Sequence, residues 1–394
     1  MKQSARRGEM KRTVSIAVGG ALGTALAFGP ARMGYGLFLP TFRDVFSLST
    51  FHAGLIASGA FAAFFVALLV SAHLVTRYGA RVPVVVGSLA AAIGLALVAG
   101  TQNTLIFAIG IVLAATSAGL CWSPFNDAVG RAITERWHGR VLSMVSTGTT
   151  FGMAGAGVLA LAVATLDWDW RTIWFGFSAL ALVCALYNLM VLRQLPEATA
   201  ASLDRGKLKR LMHRSIRPVY WIAVSFGMTN GLYLSFAVDR IDAAGGLAGL
   251  QAGGAGAILF IAFGVGGIVG LWTADVERRI GLRRLVQGIF LCSAASLLAI
   301  AVGANLWAGV IASAALQGLC LMSLSAIFSF VSQRLYPDIS SISFTAVLTV
   351  YALGNVVGPA LAGYLAGVSS LLVVFTGAAI LSLVTGLLFR ARHT

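Results

Sequence analysis

The sequence predicts an all-α integral membrane protein with twelve transmembrane helices arranged as two six-helix, pseudo-symmetric halves. Three observations predict this class. Of the 394 residues, 58% are hydrophobic and only 10% are charged, whereas soluble domains carry about 25% charged residues. Apolar segments long enough to cross a bilayer recur twelve times, and the basic residues concentrate in alternate loops. A soluble globular protein is therefore excluded.

The twelve spans follow from length, because a helix needs about 20 mostly apolar residues to cross the hydrocarbon core. We number them 1 to 12 in chain order. They are predicted at 14–38, 51–74, 82–100, 104–127, 141–166, 171–192, 218–237, 251–274, 285–303, 306–331, 342–366 and 369–390. The first span is too long for the apolar core of a signal peptide, so we interpret it as a retained helix.

Charge asymmetry between the loops predicts the orientation. Of the 28 Lys and Arg residues, 24 fall at the termini or in loops on one side, and three, Arg43, Arg171 and Arg240, fall on the other. The positive-inside rule then places both termini and the central loop in the cytoplasm. The membrane is expected to be a plasma membrane, the inner membrane of a bacterium. The net charge of +15 is explained by this topology, so we expect no nucleic-acid partner.

A polar, basic segment divides the chain. We predict an N-terminal six-helix half at 1–193, a cytoplasmic linker at 194–217 and a C-terminal six-helix half at 218–394. The stretch 207–217 fits either a short interfacial helix held by anionic headgroups or a solvated tether.

An internal repeat supports the two halves. The turn after span 2 contains Arg77, Gly79 and Arg81, and an R-x-G-x-R pattern recurs after span 8 at an offset of 202 as Arg279, Gly281 and Arg283. The same offset relates Gly152 to Gly354 and Ala156 to Gly358. Steps of small residues four apart allow two helices to approach closely. A duplicated architecture is therefore predicted.

Twelve spans, a long central loop and the two R-x-G-x-R turns resemble the major facilitator superfamily (MFS) over essentially the whole chain. The family signature after span 2 reads G-x-L-A-D-R-x-G-R-R; Leu74, Arg77, Gly79 and Arg81 match it, while Thr76 replaces the usual Asp. The resemblance implies a secondary transporter that works by alternating access around a site at the membrane midplane. It also implies that spans 1, 4, 7 and 10 line the cavity and that the two turns form a cytoplasmic gate.

One basic residue, Arg32, lies inside span 1 and belongs to neither side of the topology count. A buried guanidinium is expensive in a membrane and usually functional. Phe28, Arg32 and Tyr35 share one helix face with Thr24, and Pro30 predicts a bend beside them. We predict that Arg32, Phe28 and Tyr35 bind substrate. The alternative is that Arg32 pairs with an internal carboxylate or backbone carbonyls and only braces the fold.

Span 4 ends in a polar stretch bent by Pro124. Trp122 and Asn126 share a face and are predicted to bind substrate, and Asp127 is the candidate for proton coupling. The alternative for Asp127 is a simple ion pair with Arg131 or Arg136.

The second half has five further candidates for substrate binding. They are Asn230, Tyr233, Gln317, Tyr351 and Asn355. Each alternatively forms only a hydrogen bond to a neighbouring helix. The resemblance ranks spans 7 and 10 above span 11. Asp239 and Arg240, at the end of span 7, fit either an external gate or an ordinary pair of exposed loop charges.

The chain has no pattern typical of an enzyme. The five His residues have no metal-ligand spacing, the four Cys form no C-x-x-C pair, and no phosphate loop or nucleophile motif occurs. We expect no metal, cofactor or disulfide. The predicted function is transport of a small organic anion, with proton coupling open, by a monomer whose partners are that solute and membrane lipids. Alternatives are a proton-driven multidrug efflux antiporter, a non-transporting receptor and a membrane enzyme.

Overall fold

A computed structural model describes residues 2–166, 168–194, 216–251, 254–335 and 340–389. Regular secondary structure in these residues is entirely helical, and twelve helical segments are long and apolar enough to cross a membrane. These spans are Gly8–Leu37, Thr50–Tyr78, Arg81–Gly100, Thr104–Ala132, Glu135–Leu166, Trp170–Val191, Arg217–Asp242, Gly254–Ile280, Leu282–Val302, Trp307–Leu335, Ser343–Val368 and Leu371–Leu388. The predicted all-helical membrane fold with twelve spans is confirmed.

Several spans extend beyond their predicted bounds. Span 5 begins at Glu135 rather than at residue 141, and span 8 ends at Ile280 rather than at residue 274. The added turns contain Arg and Glu, which are good helix formers in water. Hydropathy marks where the apolar segment ends, while the helix itself continues past that point. The predicted linker falls mostly at 195–215, outside the described residues.

Breaks occur inside spans 1 and 4. Span 1 consists of the helices Lys2–Phe28 and Pro30–Leu37, followed by a short helix, Leu39–Phe46. Span 4 consists of Thr104–Cys121 and Pro124–Ala132. Each second helix begins with a proline, which has no N–H to donate to the preceding turn. The predicted bends are therefore present beside Arg32 and beside Trp122.

Contacts divide the described residues into two compact units. Unit 1 contains the described residues up to Tyr35 and those from Ala63 to the end of span 6. Unit 2 contains Gly36–Ala62 and everything described from span 7 onward. Segment 36–62, which the division at the linker assigns to the first half, thus packs with the second.

Three contacts within unit 2 hold segment 36–62. A methyl group on Gly36 would overlap the carbonyl oxygen of Leu234, so the two backbones are in close contact. Arg43 forms an ion pair of 2.7 Å with Asp239. Gly54 lies directly against the carbonyl of Pro359 in span 11.

The repeat predicted at an offset of 202 is visible in how the helices pack. In unit 1, a methyl group on Gly152 would overlap the backbone of Ala25 in span 1. In unit 2, one on Gly354 would overlap span 7 beside Gly227, the position that corresponds to Ala25. The same close approach therefore joins spans 1 and 5 and spans 7 and 11. It requires a residue without a side chain.

The glycines of the two R-x-G-x-R turns both have a positive φ angle. Gly79 has φ +72° and Gly281 has φ +79°, the left-handed region in which glycine has no steric cost. Their N–H groups donate to Val75 and Glu277, at 2.9 and 2.8 Å, and close the preceding helix. Glycine at these positions is explained by the turn, whatever role the turn has in gating.

We expect Gly152→Ala to lower stability by about 1–3 kcal/mol, because the added methyl group overpacks the contact with Ala25. Gly155 provides the matched control in the same helix, since a methyl group there would meet no atom within 4 Å. Gly155→Ala should be neutral or stabilise by up to about 1 kcal/mol. Thermal unfolding of the purified protein in detergent measures both. Equal effects would contradict the packing described.

Candidate functional site

Arg32 lies in the short helix Pro30–Leu37 and is 8% exposed. Its guanidinium carbon is 3.9 Å from the ring centroid of Phe64 in span 2 and 5.3 Å from that of Phe28, one turn earlier in span 1. Phe28 also packs edge-on against Trp122, with centroids 5.8 Å apart. The cation thus lies among aromatic rings, an arrangement worth about 2 kcal/mol when desolvated. We call Arg32, Phe28, Phe64 and Trp122 the cationic site.

Close helix packing fixes the position of the cationic site. A methyl group on Gly29, immediately before the bend, would overlap the carbonyl of Gly152, so span 5 presses against span 1 there. The Thr24 hydroxyl donates to the carbonyl oxygen of Val145 at 2.5 Å. Thr24 therefore braces spans 1 and 5. Tyr35, near the C-terminal end of the helix Pro30–Leu37, is buried and packs against Phe107 of span 4, with ring centroids 6.3 Å apart.

The break in span 4 places the remaining candidates of unit 1. The Ser123 hydroxyl is 3.2 Å from that of Ser71 in span 2. Asn126 is exposed, and its amide donates to the Ser123 carbonyl at 3.3 Å. Of the candidates at this break, Trp122 therefore belongs to the cationic site, and Asn126 is exposed with its amide bonded within its own turn.

Asp127 forms an ion pair with Arg131, with Oδ1 and Nε 2.7 Å apart, and both side chains are 21% exposed. This is the local pair that the spacing of four residues allows. Its other oxygen, Oδ2, is buried and accepts no hydrogen bond within the described residues. The charge of the Asp127 carboxylate is thus compensated by Arg131. Its role in proton coupling stays a prediction.

Unit 2 brings three of its candidates together. The Asn230 amide nitrogen donates to the Tyr351 hydroxyl at 2.9 Å and lies 3.5 Å from the side-chain oxygen of Asn355. The Asn355 amide donates to the Tyr351 carbonyl at 2.9 Å. Both asparagines are fully buried. We call these three residues the amide network; it joins spans 7 and 11, which the sequence ranked separately.

Buried polar atoms in unit 2 remain unsatisfied. Gln317 in span 10 is fully buried, and neither its amide oxygen nor its amide nitrogen has a hydrogen-bond partner in the described part of the chain. The same is true of the Asn230 side-chain oxygen. Each such atom costs about 1–3 kcal/mol, so water or solute is expected there. Tyr233, by contrast, is satisfied by Ser313 at 2.9 Å.

Corresponding positions of the two units carry different chemistry. Phe28 of the cationic site and Asn230 of the amide network are 202 residues apart, so they occupy equivalent positions of the repeat. Arg32 corresponds to Leu234. At the position equivalent to Arg32, unit 2 therefore has an apolar residue in place of the buried cation.

Two ion pairs of unit 2 were missed in the sequence. Asp239 is 3% exposed and pairs with Arg43, so the interpretation of Asp239 and Arg240 as exposed loop charges is wrong for Asp239. The guanidinium of Arg240 donates to the Ala301 carbonyl at 2.6 Å. Glu277, at the end of span 8, pairs with Arg334 through two bonds of 2.7 and 3.0 Å. Only a three-dimensional arrangement reveals these partners, 196 and 57 residues apart.

Among the described residues, no group of three or more His, Cys, Asp or Glu side chains is placed to hold a metal ion. The cationic site offers a charge and aromatic faces, and the amide network offers amides. Such groups can bind an organic solute.

The comparisons with known proteins agree with this arrangement. A family model described as "Uncharacterised MFS-type transporter YbfB" matches residues 24–390. No curated protein matches the sequence.

Solved structures give the same fold. The nucleoside transporter NupG is similar with a TM-score of 0.74 and 13% identity, covering 96% of this chain and 98% of that one. A bacterial homologue of the human lysosomal transporter Spinster, inward-facing and occupied, is similar with a TM-score of 0.74 and 14% identity, covering 96% of this chain and 95% of that one. A D-xylose–proton symporter is similar with a TM-score of 0.73 and 15% identity, covering 95% of this chain and 97% of that one. At these identities the likeness concerns the fold alone.

Proposed function

Because this chain belongs to the MFS-type transporter family, it is a multi-pass membrane transporter, and we propose that it moves a small organic anion bound at Arg32. Its family and its structural neighbours are transporters rather than enzymes. The orientation with both termini in the cytoplasm of a bacterial inner membrane is part of the proposal and rests on the 24-to-3 distribution of basic residues.

The observation that carries the proposal is the stacking of Arg32 over Phe64. Aromatic rings meet the flat face of a guanidinium, whereas carboxylates and phosphates bind in its plane through the N–H groups. The Arg32 guanidinium carbon lies 3.9 Å from the Phe64 centroid, and we propose that N–H groups of this guanidinium meet the anion. A carboxylate in that plane forms two parallel, charge-assisted hydrogen bonds.

Neutralisation of Arg32 links binding to transport. A buried cation costs roughly 2.5–3.5 kcal/mol within a membrane, and an anion that pairs with it removes much of that cost. The conformation in which the site is closed to water then becomes more favourable with substrate than without it. A ligand shifts a conformational equilibrium only by such a difference in affinity.

Within unit 2, the amide network and Gln317 are separate candidates for contact with solute. Their unsatisfied oxygen and nitrogen atoms suit hydroxyl or amide groups. Proton-driven efflux of cationic drugs is less well supported, because Asp127 is paired with Arg131.

A thermal-shift screen of the purified protein tests the substrate class. We expect organic acids to raise the melting temperature, because a ligand that binds only the native state stabilises it by about 2.7 kcal/mol at 100 times its Kd. Nucleosides, sugars, neutral amino acid amides and cationic drugs form the other arms. Stabilisation by uncharged or cationic compounds alone would refute the anion assignment, while leaving the transporter family untouched.

A further inference from the structure

A second group of arginines and an aromatic ring lies at the start of span 5. The guanidinium carbons of Arg136 and Arg140 are 5.5 and 5.0 Å from the ring centroid of Trp137. Both arginines are exposed. Trp137 is half-buried and packs against the apolar cluster at this end of unit 1, which includes Ile133 and Val141. We call Arg136, Trp137 and Arg140 the Trp137 cluster.

Among the described residues, Arg136 and Arg140 form no ion pair that would balance the charge of the Trp137 cluster. Arg136 and Arg140 are one helical turn apart, a spacing at which like charges repel. They also lie in the first turns of the helix Glu135–Leu166, where the helix dipole disfavours cations. Neither guanidinium has a hydrogen bond or ion pair among the described residues, in which Asp127 pairs with Arg131. An external anion would relieve this repulsion.

An exposed apolar surface continues from the cluster along span 5. Met144, Phe151 and Val158 follow Arg140 at helical spacings of four, seven and seven, and they are 46%, 63% and 53% exposed. They form an uncovered apolar stripe along the same face of span 5. A phosphate binds arginines in their plane, and an acyl chain matches the stripe. A free phosphate ion satisfies only the first of these two features.

We propose that the Trp137 cluster and this stripe bind one anionic phospholipid. The phosphate lies between Arg136 and Arg140, the indole of Trp137 lies at the headgroup level where amphipathic rings collect, and an acyl chain follows Met144 and Phe151. Juxtamembrane arginines attract anionic lipids. The Trp137 ring and the apolar stripe would hold this lipid at one position on the protein.

The test compares lipid retention by the full-length protein in detergent. Native mass spectrometry measures the affinity for added phosphatidylglycerol, with phosphatidylcholine as the zwitterionic reference. We expect the R136Q/R140Q variant to lose about 30-fold in affinity for phosphatidylglycerol, the effect of two juxtamembrane charges, and to bind phosphatidylcholine as before. The matched control is R283Q/R284Q, which removes two exposed arginines from the first turn of Leu282–Val302.

An equal loss in R283Q/R284Q would overturn the proposal in favour of general charge attraction. Equal binding of the two lipids by the unmodified protein would also overturn the proposal. Full competition by inorganic phosphate would overturn it too, because it would indicate a soluble ligand. If the double variant fails to fold, R140Q alone carries the test, with an expected loss of about fivefold. Unfolding of each variant without added lipid is measured in parallel.

Discussion

Arg32→Gln is expected to abolish stabilisation of the protein by organic acids while leaving it folded. Glutamine keeps a polar side chain of similar reach but loses the charge and the paired N–H groups. Each hydrogen bond to a charged partner is worth about 1.5–3 kcal/mol, so two lost bonds predict at least a hundredfold fall in affinity. The thermal shift with the best organic acid of the screen, and its uptake into proteoliposomes, measure the effect. Unchanged affinity and uptake would refute the proposed site.

Two controls separate the cationic site from general effects of charge and packing. Arg171 also stacks on an aromatic ring, with its guanidinium carbon 4.6 Å from the Trp170 centroid, and Arg171→Gln should leave anion binding unchanged. Phe64→Leu removes the ring beneath Arg32 and should weaken binding about fivefold to thirtyfold, the value of a cation–π contact. Phe65→Leu, one position further in the same span, should not.

Arg43→Leu is expected to lower stability by about 3 kcal/mol, because it leaves the buried Asp239 carboxylate without its cation. The two substitutions of this pair should not be equivalent. The Asp239 side chain is 4% exposed and that of Arg43 is 31% exposed. After Asp239→Asn, Arg43 can still reach water, so a loss below about 1 kcal/mol is expected. Denaturant unfolding in detergent measures the difference.

The double variant R43L/D239L provides the decisive comparison. Replacing both charges by apolar groups removes the uncompensated carboxylate, so the double variant should be more stable than Arg43→Leu alone. With Asp239→Leu as the second single variant, the double variant is expected to be about 2 kcal/mol more stable than the sum of the two single effects predicts. If Asp239→Asn proves as destabilising as Arg43→Leu, the pair does not act through the burial of Asp239.

Most of the fold was predictable because a membrane restricts the possibilities. Any segment that crosses it must satisfy its own backbone hydrogen bonds, so a run of about 20 apolar residues already specifies a helix. The glycine pair at 152 and 354 was visible as a spacing in the sequence. What escaped prediction was the extension of spans 5 and 8 through charged residues, since hydropathy records solvent preference and not helix formation.

The sites were predictable only within a helix. Phe28 lies one turn from Arg32, so helical periodicity placed the two residues together. Phe64 contacts the guanidinium from span 2, and Trp122 contacts the Phe28 ring from span 4. Asp239 was misjudged for a related reason, because its partner Arg43 is 196 positions away. The sequence did contain a useful signal. Only three arginines, Arg43 among them, lie in the loops opposite the termini, so each of them is a candidate for a specific ion pair.

The equivalence of positions 28 and 230 has a consequence for how this protein's relatives are to be compared. The glycines that hold paired helices against each other cannot accept a side chain, because it would separate the backbones. Residues 28 and 230 carry side chains of different chemistry, one an aromatic neighbour of a charge and the other an amide. We therefore expect solute preference among homologous transporters to vary with these two positions. Exchanging their residue types is the natural first step in altering specificity.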